Sequence, residues 1–302
     1  MLKKDVSIII VNHNTCNLAA KCIHSIFEKT KSVSFEVILV DNASTDDSKI
    51  YFSAEPRITY IYSDENLGFG RANNKGLSVA CGRNILFLNP DTLLINDAVG
   101  ILSNYLDGHN EAGACGGNLF NEAMHPTHSF QRLLPSIVYE LNLCLSRLPE
   151  KWLCPHSCNF NYTNREIAVP HITGADLMVK KQLLDQIGAF AEEFFMYYEE
   201  TDLCCRIKKT YAKIISVPSA KIQHLEGRSF GPNCLVNENR LRLQEESRMI
   251  YYRKHYSHAY INIVNAIYWI TLTVRILIFG KKSHKGNYYF LRKQYHLQAI
   301  HG

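Results

Sequence analysis

The sequence predicts an α/β protein built on a mostly parallel central sheet flanked by helices, with a helical extension at its carboxyl end. Three observations carry that reading. Short apolar runs rich in β-branched residues recur through the first half without polar alternation, as in strands buried on both faces. Segments with apolar residues at helical spacing separate them. Polar residues then gather where the runs stop, where open α/β sheets bind ligands. The 302 residues are 46% hydrophobic and 20% charged, enough for a sizeable core, and they contain no internal repeat or low-complexity run.

The elements follow in order. Residues 6–11 (VSIIIV) are the first strand, and Asn12-His13-Asn14 follows it. Residues 18–27 place Leu18, Cys22, Ile23, Ile26 and Phe27 at helical spacing. A second strand at 35–40 ends at Asp41-Asn42, a short helix covers 46–52, and a third strand at 58–62 precedes Asn66-Leu67-Gly68. A small-residue helix at 70–81 leads to a fourth strand at 85–88. Asn89-Pro90 stops that strand, because proline biases the residue before it towards extended backbone. A helix at 97–106 and a strand at 112–115 come next. Residues 120–170 are less regular, and their apolar-aromatic patch at 139–148 reads as a lid or an acceptor-facing insertion. Strand character returns at 171–179 through Gly174-Ala175. A helix at 180–187, an extended stretch at 194–198, a helix at 202–209 and strands at 213–217 and 221–224 complete the order.

Ten cysteines stand at irregular spacings. Cys154 and Cys158 form a CPHSC stretch, but no second pair stands at finger-like spacing, so reduced thiols are expected rather than zinc or disulfides. The apolar run near the amino end is too short for a signal-peptide core, which places the expected reaction in the cytoplasm.

Four strand exits with a polar cluster each point to one ligand crevice. Any single cluster could be a turn, since Asn, Asp and Gly make good turns. Asn89 and Asp91 in NPD can present oxygens together, and Mg²⁺ or Mn²⁺ accepts one or two carboxylates and completes its shell with water and substrate phosphates. Such a thin site calls for a nucleotide-diphosphate substrate. The NLGFGRANNKG stretch (66–76) has glycines leading into a helix but lacks the spacing of a phosphate loop. Asp41 could accept from a base or a ribose hydroxyl, or make a turn. His224 ends a strand and could be a ligand or a structural residue. FMYYEETDLCCRIKK (195–209) crowds Glu199, Glu200 and Asp202 at a helix start, where the helix dipole favours negative charge. Asp202 suits helix-end stabilisation, which leaves Glu199 or Glu200 as a base ionised at neutral pH.

Together the motifs VSIIIVNHN, VDNASTDDS, ENLGFGRANNKG, LFLNPDT, ITGADLMVKK, FFMYYEETDLCCRI and IQHLEGRSF resemble the inverting glycosyltransferases of family 2, and most closely their rhamnosyltransferase-like branch. The resemblance spans roughly residues 5–256 and implies a GT-A fold. A catalytic domain is then expected at 1–240, with a nucleotide-binding half at 1–118 and an acceptor-side half at 119–240, followed by a helical region at 241–302. The resemblance implies that Asn12 and Asp41, with Asn42 and Ser44 on the same exits, hold the base and ribose. Asn66, Gly68 and Asn73 would lie against the nucleotide. Asp91 would be the carboxylate of the metal-binding DXD motif with Asn89 in its first place, and His224 would reach the metal. Gly174 and Ala175, with Asp202, would face the donor and acceptor. The family's Glu-Asp pair stands here as Glu199-Glu200, which makes Glu200 the implied base and Glu199 the second choice.

The implied donor is dTDP-L-rhamnose or another dTDP- or UDP-sugar, and the implied acceptor a glycan or a polyprenyl-diphosphate-linked sugar of bacterial surface polysaccharide synthesis. The rivals are a sugar-1-phosphate nucleotidyltransferase, disfavoured by NHNTCN where a Gly-rich, Arg-containing loop belongs, and a catalytically silent binding protein of the same fold. Residues 251–302 carry eight Lys/Arg and no Asp or Glu, which leaves the rest of the chain at −3. Residues 259–279 match a bilayer span in length but contain Asn262, Asn265 and Arg275 and precede Lys281, Lys282 and Lys285. A packed helix, an interfacial helix and a span are the three readings. Tyr and Trp beside a Lys-rich flank favour an anionic membrane surface, peripheral on the inner face of the plasma membrane. No nucleic-acid motif accompanies the charge.

Overall fold

The computed structural model describes residues 4–153, 159–225 and 237–301. The first half contains β1 (Val6–Asn12), α1 (Cys16–Lys29), β2 (Phe35–Asn42), α2 (Ser48–Ser53), β3 (Thr59–Ser63), α3 (Phe69–Leu77) and β4 (Asn84–Leu88). There follow β5 (Thr92–Leu94), α4 (Ala98–Gly108), β6 (Ala112–Phe120), β7 (Phe130–Gln131), α5 (Ile137–Cys144) and α6 (Leu148–Leu153). Then come β8 (Ile167–Ala168), β9 (His171–Ile172), β10 (Asp176–Lys180), α7 (Lys181–Ile187), α8 (Glu199–Lys209) and β11 (Lys213–His224). The chain closes with α9 (Glu238–His255), α10 (His258–Phe279) and α11 (His284–His301).

The main sheet has the order β3-β2-β1-β4-β10-β6-β11-β5, with β8 also paired to β11. Six strands run one way. β10 runs against β4 and β6, and β5 and β8 run against β11. Alternation along each strand divides the core. Val6, Ile8 and Ile10 of β1 join Val37 and Leu39 of β2 in one layer, packed by α1 and α4. Ile9, Val11, Ile38 and Val40 point the other way, onto α3, α7 and α8. A third cluster joins Phe194 to the C-terminal helices through Met249, Tyr251, Tyr252, Ile261 and Val264.

The reversal of β10 matters most for function. Pairing Asp176 with Leu88 brings the amino end of β10, and Gly174-Ala175 before it, beside the carboxyl end of β4. β11 ends at His224, paired with Thr92 of β5 directly after the NPD turn. Segments far apart in sequence therefore meet at one sheet edge.

One strand was missed and three expectations are corrected. β5, at three residues, is too short to show a period. The expected strands at 213–217 and 221–224 are one strand whose register with β6 shifts between Ser216 and Lys221, around Pro218. Residues 171–179 divide into β9, paired with β7, and β10. The stretch 194–198 is not extended, because Tyr197 and Tyr198 hold φ of 70° and 66°. Two left-handed tyrosines cost about 1–3 kcal/mol each, and the packing of Tyr198 against Tyr251 helps to hold them.

Candidate active site

At the NPD turn, the Asn89 N–H donates to the Ala175 carbonyl (3.0 Å) and the Thr92 hydroxyl donates to the Asn89 carbonyl (2.7 Å). This fixes Asp91, which is buried. Its Oδ1 lies 3.3 Å from His224 Nε2, and Asn89 Nδ2 stands 3.5 Å from that same nitrogen. Asp91 and His224 thus converge, as a shared cation would require. Among the described residues no group of three or more His, Cys, Asp or Glu side chains could hold a metal. The donor set therefore fits Mg²⁺ or Mn²⁺ only with oxygens from water and a diphosphate completing the shell. Cys154 and Cys158, the alternative zinc candidates, and the last residues of the IQHLEGRSF motif (226–230) lie outside the described residues.

Asp176 sits close behind. It is fully buried, its Oδ2 accepts from the Gly117 N–H (2.6 Å), and its Oδ1 has no hydrogen-bond partner. Burial pushes its carboxyl up to about 7, against that hydrogen bond and the nearby His224. Sequence reasoning missed it, because within ITGAD it reads as one polar residue at the head of an apolar strand.

The loops after β1, β2 and β3 interlock. Asn12 is fully buried, donates to Ser44 Oγ (3.1 Å) and Ser48 Oγ (2.8 Å) and accepts from Thr15 Oγ1 (2.7 Å). Asp41 accepts from the Ser44 N–H (3.0 Å) and the Tyr60 hydroxyl (2.7 Å). Asn42 accepts from the Leu67 N–H (2.8 Å) and donates to Asn66 Oδ1 (2.9 Å) and the Gly68 carbonyl (3.2 Å). Instead of projecting freely, these side chains brace the loops after β1, β2 and β3 against one another. Asn73 is buried likewise, donating to the Phe69 carbonyl (3.0 Å). Gly68 holds φ of 80°, and a Cβ there would lie 2.1 Å from the Phe195 carbonyl oxygen. The Phe69 N–H donates to that same oxygen (2.9 Å), so the NLGF loop docks on the segment that leads into α8.

The two glutamates open α8 and differ in surroundings. Glu199 is buried, and among the described residues its Oε2 has no hydrogen-bond partner. Burial, then the charge of Glu200, holds its carboxyl well above the usual range. Glu200 is shifted the other way. Burial opposes its ionisation, but the hydrogen bond and charge of His171, with the N–H groups of Glu200 and Thr201, hold it below the usual range. His171 Nε2 lies 3.5 Å from Glu200 Oε1 and 3.2 Å from Thr201 Oγ1. The two carboxyls are pushed apart, Glu200 towards its ionised form and Glu199 towards its neutral one, the division that acid–base pairs use.

A Cβ on Gly174 would lie 3.6 Å from the Glu200 Cβ and 3.8 Å from the Phe69 ring. Since Ala175 also binds Asn89, the Gly174-Ala175 link joins the Asp91–His224 end to the Glu200 end. Asp202 is the exception. It is fully buried, with Oδ2 held by Arg206 Nε (2.7 Å) and Oδ1 by His255 Nε2 (2.8 Å). The expectation that it lines the donor/acceptor pocket is corrected: it ties α8 to α9. His171 was missed because it stands directly before the quoted motif and gives no spacing signal.

Comparison with known proteins places this geometry in context. The profile of Glycosyl transferase family 2 matches residues 7–187. A low-salt glycan biosynthesis hexosyltransferase, Agl10, of Haloferax volcanii is 27% identical over 209 residues, 68% of this chain and 62% of that protein. The match thus spans under two thirds of that relative's length. The N-acetylglucosaminyl-diphospho-decaprenol L-rhamnosyltransferase of Mycobacterium tuberculosis is 26% identical over 65% of this chain and 68% of its own. Among solved structures, GalNAc-T7 with UDP, GalNAc and Mn²⁺ superposes with a TM-score of 0.61 at 12% identity, covering 99% of this chain and 55% of that one. The mannosyltransferase PcManGT of Pyrobaculum calidifontis with GDP-Man and Mn²⁺ gives 0.59 at 14% identity, covering 99% and 88%. The fold is GT-A.

Proposed function

The chain belongs to glycosyl transferase family 2, and from that premise we propose that it is an inverting, metal-dependent transferase. It would move a sugar, with dTDP-L-rhamnose the leading donor and other dTDP- or UDP-sugars next, onto a glycan or polyprenyl-diphosphate-linked acceptor. The observation that carries this reading is Glu200 against Gly174, its carboxyl held below the usual range, one residue from Ala175, which binds Asn89 at the Asp91–His224 end. The mycobacterial relative, named for a lipid-diphosphate acceptor and L-rhamnose, supports the choice of substrates.

In this mechanism Glu200 takes the proton of the acceptor hydroxyl as its oxygen bonds to the anomeric carbon. The bond from that carbon to the diphosphate oxygen breaks, its electron pair leaves with the nucleoside diphosphate, and one in-line displacement inverts configuration. Glu199, protonated, keeps a second negative charge out of the site. Asp91 and His224 would hold the divalent cation, Mg²⁺ or Mn²⁺, which supplies charge neutralisation for the departing diphosphate. We place the reaction at the inner face of the plasma membrane, with the exposed apolar residues of α10 and Lys281, Lys282 and Lys285 as the attachment.

The test is Glu200→Gln. Turnover of nucleotide sugar should fall about a hundredfold or more, the scale of a lost general base, while the donor dissociation constant changes little. Unchanged turnover would remove Glu200 from the mechanism. Release of diphosphate from a nucleoside triphosphate and a sugar 1-phosphate would favour a nucleotidyltransferase instead.

A further inference from the structure

Near Glu200 lies a cavity of about 110 Å³ whose lining includes His128, Gln131, Arg132, Tyr139, Arg147 and Glu150. Its distance from the chemistry is one strand pair: Gln131 lies across the β7–β9 ladder from His171, which contacts Glu200. His128 senses both ends. Burial, then His171 and Arg147, pushes its imidazole down to about 4, so the histidine is neutral here.

By its described lining the cavity carries a net positive charge and is held in shape. Among the described lining residues Arg132 and Arg147 supply two guanidinium groups and Glu150 one carboxylate. Glu150 accepts from Arg147 Nε and Nη2 at 2.9 Å each and from Asn142 Nδ2 at 2.8 Å. Arg147 follows a turn in which Ser146 and Arg147 itself hold φ of 55° and 60°. Two non-glycine residues in the left-handed region are strain of the kind that collects at ligand clamps. Outside the cavity, α5, α6 and the turn between them expose Leu141, Leu145, Leu148 and Trp152. α5 also packs on α10, where the Arg275 guanidinium donates to the Leu143 carbonyl (2.7 Å).

We infer that this cavity binds the diphosphate of a lipid-linked acceptor, with Arg132 and Arg147 on the phosphate oxygens and the lipid chain along the apolar face of α5 and α6. The inference rests on the transferase reading and names the acceptor half of that site. A diphosphate seated at Arg132 and Arg147 directs the sugar it carries towards His171 and Glu200. Two guanidinium groups recognise paired phosphates better than a single one.

The experiment is equilibrium binding to the full chain with excess dTDP and Mg²⁺ occupying the donor end. The probes are farnesyl diphosphate, farnesyl monophosphate and inorganic pyrophosphate. Farnesyl diphosphate should bind about tenfold or more tighter than either other probe, and Arg132→Gln should remove about tenfold of that affinity. Arg147→Lys, which keeps the charge but loses the fork, should remove part of it, with thermal midpoints confirming that both variants fold. Equal binding of the mono- and diphosphate, or diphosphate affinity indifferent to both substitutions, overturns the inference. Pyrophosphate binding as tightly as the farnesyl ester makes this a free-phosphate site and overturns the lipid assignment. Arginine-dependent binding without any sugar transfer would sink the reaction and keep the site. Transfer to a simple glycoside without arginine-dependent binding would do the reverse.

Discussion

Glu199 and Glu200 share a helix end, and their difference comes from what each one touches. In the proposed mechanism His171 keeps Glu200 in the form a base needs, so its removal has a signed consequence for pH. With His171 present, Glu200 titrates below the usual carboxylate range although burial opposes it. In His171→Ala burial is opposed only by the N–H groups of Glu200 and Thr201, and Glu200 takes up its proton at higher pH. The acid limb of kcat/KM should therefore move upward, with a larger loss near pH 5 than near pH 8. His171→Asn, which can still donate a hydrogen bond, should move it less. Profiles that superpose would mean that His171 is merely packed there. The EE pair, NPD and His224 were legible in the sequence because they stand at element ends. The choice between the two glutamates rested on resemblance alone, since it depends on a side chain twenty-nine residues earlier in sequence whose contact no local spacing encodes. Asp202 illustrates the same limit: its place in the first turn of α8 was readable, but its partner His255 is 53 residues away.

Among the elements, the four-strand parallel core was legible because each strand is a continuous apolar run with a polar exit. What escaped was the way elements dock. Residues 194–198 look extended by composition, yet they turn sharply to set α8 against the NLGF loop, and Gly68 makes that contact possible. In Gly68→Ala the new Cβ would meet the Phe195 carbonyl oxygen from a backbone that alanine adopts only under strain. A cost of about 1–3 kcal/mol lowers the midpoint of a domain of this size by roughly 2–10 °C. A thermal scan checks it, and the donor KM should rise in parallel, because the displaced loop adjoins both the nucleotide-side braces and the Glu pair. Gly188→Ala is the control. Gly188 also has a positive φ of 77°, but nothing stands within 4 Å of an added Cβ. The variant should show the backbone cost without the KM change. A midpoint for Gly68→Ala equal to that of the native chain would mean that the loop moves freely and the docking contact does not position α8.

Across the whole molecule, the charge asymmetry read from the sequence becomes a two-faced C-terminal unit. Its inner side is ionic. Arg248 is fully buried, donates to Glu140 of α5 (2.9 Å) and lies over the Tyr268 ring at 3.8 Å, while Glu245 accepts from Arg292 (2.6 Å) and Tyr268 (2.6 Å). Those partners tie α5 to α9–α11, and through Arg292 they place one of the eight basic residues of 251–302 inside rather than on a surface. The outer side is apolar. α10 buries Ile261, Val264, Tyr268, Thr271 and Leu272 and exposes Ile263, Trp269, Ile270, Val274, Leu277 and Ile278. It is long and apolar enough to cross a membrane by length and composition, and 28% of its most apolar window is buried. Packing along one stripe with apolar exposure along another suits a helix lying in an interface, which is the attachment proposed above. Lys281, Lys282 and Lys285 follow directly, and near an anionic surface each contributes about 1 kcal/mol. Replacing all three by glutamine should therefore weaken binding to vesicles rich in phosphatidylglycerol by about a hundredfold. Weak binding to neutral vesicles, driven by the apolar face, should stay as it was. The chain's two tryptophans, Trp152 on α6 and Trp269 on α10, are both exposed and report the event through a blue shift of their fluorescence. If the native chain gave no shift with anionic vesicles, or bound neutral ones as tightly, α10 would be a packed helix whose outer face serves another purpose. The acceptor would then have to reach Glu200 from solution.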